Sequence, residues 1–184
     1  MGYKKRTYDV AEVMTGNPPT PQWRLMQNGQ VLDPAVPIIF NKDTDQMPKV
    51  DHYRIRFDIK HFSQSQLRFA PDINDVLWVH LGAACPQAPC YMPGVIWVAD
   101  MDKDGEWIDV INMDMTVENF WFTLNLVPKN DPTSKNFVPI DPGGGNQNGG
   151  LVATPPGGTS ASLAFVGGLL LGAVGTAAVT GLLG

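Results

Sequence analysis

The sequence predicts a mainly β protein: an antiparallel β-sandwich, then a Gly/Pro-rich tether and a C-terminal hydrophobic helix. Three observations predict it. "YRIRFDI" alternates strictly, with Tyr53, Ile55, Phe57 and Ile59 on one side and Arg54, Arg56 and Asp58 on the other, the period of a half-buried strand. Further apolar runs recur with turn signals between them, and no long amphipathic helical period interrupts them. Charge then stops: every charged residue lies between Lys4 and Asp141.

The elements follow in order. Residues 1–19 read as an N-terminal extension, in which "YDVAEVM" suits either a strand or a short helix. Lys4-Lys5-Arg6 is a basic cluster in a chain of net charge −5, too little for a nucleic-acid-binding face, so no nucleic-acid partner is expected. Arg6 occupies the place where N-myristoylation needs Ser or Thr. No apolar run follows the basic cluster, so no secretory signal is read and the folded part is expected on the cytosolic side.

Residues 20–141 read as the sandwich domain. In "QWRLMQNGQVLD", Asn28-Gly29 supplies the positive φ angles of a tight hairpin. Asp-Pro pairs in "LDPAVPIIFN" and "PIDPGGGN" start turns at the domain margins. "DVLWVHLG" and "GVIWVAD" are apolar on both faces, as central strands are. "EWIDVIN" follows, then "NFWFTLNLVP", with Phe120, Phe122, Leu124 and Leu126 on one face. In this pattern, and in pattern alone, the domain resembles small Ig-like or cupredoxin-like sandwiches.

Several groups invite a chemical reading. Asp100, Asp102 and Asp104, followed by Gly105, match the first half of a calcium loop, although Ile111 stands where the bidentate Glu belongs. Lys103-Asp104-Gly105 is equally good hairpin chemistry, so Ca2+ is the weak exception to an expectation of no cofactor. Blue copper needs a His shortly after the Cys, and no histidine follows His80. Cys85 and Cys90 sit close enough in sequence for a disulfide, but a reducing compartment would keep them free. Of the five tryptophans, Trp107 and Trp121 are the candidates for an aromatic ligand platform, with core packing as the plainer role. No nucleophile elbow, P-loop or dinucleotide fingerprint occurs, so the protein is expected not to be an enzyme.

Residues 142–160 read as a flexible linker, because its glycines are costly to order and Pro155-Pro156 stops any regular element. Residues 161–184 are uncharged. As a helix they would extend about 36 Å, enough to cross a ~30 Å hydrocarbon core. Ala164, Gly168, Gly172, Thr176 and Thr180 recur every fourth residue on one ridge, the spacing by which small residues let helices pack closely.

The expected placement is therefore the membrane. The expected partners are membrane lipid, a second copy or another membrane helix, and a protein ligand of the β domain. The function expected is a non-enzymatic, membrane-anchored binding or scaffolding module. The alternative is a structural subunit of a filament, particle or virion, with the tail as its interaction element.

Overall fold

A computed structural model describes residues 2–81, 85–114 and 118–146. Among them the chain is mainly β and forms two sheets. β1 (Tyr3–Thr15) turns at Gly16 into β2 (Thr20–Gln27). Asn28 and Gly29, with φ of 52° and 78°, make the predicted hairpin into β3 (Gln30–Val31). β4 (Ile38–Phe40) and β5 (His52–Ile59) follow, then a 3-10 turn at Phe62–Gln64 and β6 (Leu67–Phe69). A short helix α1 (Ile73–Val76), capped by the Asp72 carboxylate on the Asn74 N–H, leads into β7 (Leu77–Leu81). β8 (Ile96–Met101), β9 (Trp107–Asn112), β10 (Glu118–Pro128), β11 (Val138–Ile140) and β12 (Gly143–Asn146) complete the set.

The first sheet runs β3-β2-β1-β5-β9-β8. The second runs β11-β10-β12-β4, and β6 and β7 also pair with β10. Both sheets are mixed, which corrects the antiparallel expectation. β1 lies parallel to β5 from Tyr3↔His52 to Val10↔Ile59, and β12 lies parallel to β4. The cause is the path of the chain. After β3 it crosses to the second sheet as β4 and re-enters the first beside β1 as β5, so two strands joined by a crossover run the same way.

Two boundaries also move. Residues 1–19 are no extension: β1 lies inside the first sheet between β2 and β5, with Tyr8, Val10 and Ala11 buried. The basic start is not loose either, because Lys4 and Arg6 both bind Asp45. At the other end, "GGGN" forms β12 between β10 and β4 instead of opening the linker at 142. Gly144 lies against the Phe120 ring, and a Cβ there would overlap the ring carbons. The glycines read as flexibility permit a close approach here. The chain divides into two units, 1–152 and 153–184. The expected helix at 161–184, with its ridge of Ala164, Gly168, Gly172, Thr176 and Thr180, lies outside the described residues. Among the described residues no helix is long and apolar enough to cross a membrane.

One core joins the two sheets. The alternation of β5 is realised as predicted: Tyr53, Ile55, Phe57 and Ile59 are all buried. They face Phe120, Phe122, Leu124 and Leu126 of β10, with the Phe57 and Phe122 rings 6.0 Å apart. Burying each such side chain contributes about 1.5–3 kcal/mol.

Candidate functional site

Two aspartates of the folded unit are closed into ion-pair clusters. Asp45 accepts from Lys4 Nζ at 2.8 Å, Arg6 Nη2 at 2.6 Å and the Tyr53 hydroxyl at 2.6 Å. Burial alone would raise its pKa, but these three donors hold the carboxyl down at about 2. Asp109, on the outer side of the first sheet, is 1 % exposed and bound by both Arg54 and Arg56 at 2.6–3.0 Å. Here too burial works upward, and the two guanidiniums hold the carboxyl below its ordinary value.

A third cluster is only half satisfied. Lys42, buried beyond the end of β4, donates to the carbonyls of Lys49 and Met113. Its neighbour Asp114 is fully buried, and both carboxylate oxygens lack a hydrogen-bond donor among the described residues. Burial pushes that carboxyl up to about 6, against the pull of Lys42.

The sequence-predicted sites fare differently. Asp100 and Asp102 serve their own hairpin: Asp100 Oδ1 accepts from the Met101 N–H, and Asp102 Oδ2 from the Asp104 and Glu106 N–H groups. Asp104 is left beside Lys103. Asp102 and Asp104 lie in the turn between β8 and β9, and among the described residues no three His, Cys, Asp or Glu side chains gather as metal ligands. Gly105, at φ +70°, packs so closely on Arg68 and the Phe69 carbonyl that it docks this turn onto β6.

Cys85 and Cys90 are not bonded to each other in the structure. Burial, with Asp141 nearby, pushes the Cys85 thiol up to about 12, which disfavours the thiolate. Trp107 and Trp121 lie in different sheets and make no common platform. Trp107 already carries the Arg56 guanidinium 3.9 Å from its ring centre, and Trp121 pairs across the strands with His80.

The structure also opens a groove of about 490 Å³ at one end of the core, lined by both polar and apolar groups. Its origin is visible in the register. The core-facing positions of β1 and β2 pair as Val10↔Leu25 and then Glu12↔Trp23. Val10 and Leu25 are buried, whereas Glu12 is exposed and Trp23 half-buried, so the sheet runs on past its core. The chain leaving β5 forms the opposite wall with Lys60, His61, Gln64, Ser65 and Gln66, and Leu67 closes the apolar side.

That wall is firmly set. The Lys60 N–H binds the Val10 carbonyl at 2.8 Å, and the His61 carbonyl accepts from the Gln64 and Ser65 N–H groups. His61 itself has φ of 54°, a left-handed backbone that this turn imposes. Ser65 Oγ bonds both the N–H and the carbonyl of Leu67, and the Lys129 N–H binds the Gln66 carbonyl. The side chains of Glu12, Lys60, His61, Gln64 and Gln66, by contrast, have no hydrogen-bond or ion-pair partner among the described residues. No single motif marked this group: Glu12 and Trp23 meet only through the β1–β2 register. No protein-family model matches the chain, and no curated protein matches its sequence.

Proposed function

We propose that the two sheets form a β-sandwich that acts as a non-enzymatic binding or scaffolding module, carried at a membrane by the uncharged C-terminal segment. The observation that carries this reading is the division of the chain. All charge lies at or before Asp141, and an uncharged, largely apolar segment of membrane-spanning length closes the sequence. The folded unit supports a binding role through its open groove, while its shifted carboxylates at Asp45 and Asp109 are sealed in ion pairs. The ridge of small residues from Ala164 to Thr180 favours close packing with another helix, and so supports self-association in the membrane.

Alkaline carbonate extraction of membranes bearing the full chain tests this, followed by detergent solubilisation and sizing. The expected outcome is retention in carbonate and release by detergent as a small oligomer. Recovery as a large particle that needs no detergent would instead make the tail an assembly element of a filament, particle or virion.

A further inference from the structure

We infer that the groove between β1–β2 and the turn after β5 is a binding site for a neutral saccharide ring. The inference rests on the binding-module reading and names the ligand class. The carboxylates of Asp45 and Asp109 are engaged by neighbouring side chains. In the groove, Glu12, Lys60, His61, Gln64 and Gln66 surround one space, and none is engaged among the described residues. The backbone that carries Lys60, His61, Gln64 and Gln66 is held by the hydrogen bonds of the Lys60–Leu67 turn, and Glu12 stands on β1, so the backbone frame of the groove is set before any ligand arrives.

The donor and acceptor inventory selects the ligand. Glu12 offers only acceptors, Lys60 only donors, and each glutamine amide offers both. The charges of Glu12 and Lys60 cancel, so the groove attracts neither anions nor cations strongly. A lipid chain would leave these groups unpaired, and a phosphate would meet the Glu12 carboxylate. A ring of hydroxyl groups matches, because each hydroxyl donates and accepts at once. Trp23 supplies the apolar wall that the C–H face of such a ring requires, and its packing against the core fixes it there. The volume of about 490 Å³ lies in the range of small-molecule sites and holds one or two pyranose rings.

Fluorine NMR of the full chain labelled with fluorotryptophan, in a detergent without a sugar headgroup, tests the inference. Trp23 is assigned from a Trp23→Phe variant. The probes are methyl glycosides of glucose, galactose, mannose and N-acetylglucosamine, then maltose and cellobiose, with inorganic phosphate and adenosine as contrasts. Weak binding is expected, with a Kd on the order of 1 mM, as a few hydrogen bonds and one stacked ring give.

The expected result is a saturable shift of the Trp23 resonance with at least one neutral sugar and with neither contrast. Affinity should fall about tenfold or more in Gln64→Ala/Gln66→Ala and in Glu12→Gln, whose exposed side chains leave the fold intact. No shift with any of these sugars up to about 100 mM would overturn it. So would a response to adenosine or phosphate in place of sugar, or sugar binding unchanged in the Gln and Glu variants. Membrane extraction of the same preparation tests the anchor separately, so failure of the ligand assignment and failure of the anchored-module reading give different signatures.

Discussion

Asp45 and Asp114 show how the same residue type takes opposite roles. Asp45 ties the loop after β4 to β1 and β5 through Lys4, Arg6 and Tyr53. Its pKa in the folded state, about 2, lies below the value of a free aspartate, so its stabilisation is present above pH ~4 and is lost as pH falls towards 2. Asp45→Asn should cost about 1–3 kcal/mol at pH 7, since it unpairs three donors that are only partly exposed. The gap from wild type should close as the pH approaches 2, as read by urea unfolding. Asp114 runs the other way. A carboxyl raised to about 6 stabilises below pH ~4, where both states are protonated, and that advantage is lost as pH rises through 6. Asp114→Asn should remove a loss on the order of 2–3 kcal/mol between pH 4 and 7. Unfolding curves of wild type and variant at the two pH values check this; equal slopes would contradict it.

The elements were legible wherever local chemistry decides them. The alternation of β5, the apolar face of β10 and the Asn28-Gly29 turn are set by neighbours within a few residues, and all three stand as read. What the sequence hid depends on partners far along the chain. β1 is amphipathic and polar-rich, and only its pairing with both β2 and β5 shows it to be an internal strand. The Gly-rich β12 carries no strand signal, and the Phe120 ring beneath Gly144 is what makes glycine the residue that fits. Gly144→Ala should therefore destabilise by at least ~2 kcal/mol through overpacking, and Phe120→Leu in the same chain should recover part of that loss. Thermal unfolding of the single and double variants checks it. The groove was hidden for the same reason as β1: Glu12 and Trp23 come from two strands, and the third wall from beyond β5. The aspartates of the β8–β9 turn read two ways in sequence, because turn chemistry and calcium-loop chemistry use the same residues, and Asp100 and Asp102 here accept from N–H groups of their own hairpin.

At the scale of the whole molecule, the chain combines a β unit with its own core and an uncharged C-terminal sequence rich in apolar residues. β12 carries the second sheet to Asn146, past the point where composition alone ends the domain. Removing residues 153–184 should leave the folded unit intact, since its core residues all precede that point. Flotation of the full chain and of the chain ending at Val152 on neutral phospholipid vesicles, with thermal unfolding of both in parallel, is the most direct measurement. The expected result is that the shortened chain unfolds cooperatively at the same temperature but no longer floats. A shortened chain that still floats, or that loses its cooperative unfolding, would contradict the membrane-anchored module.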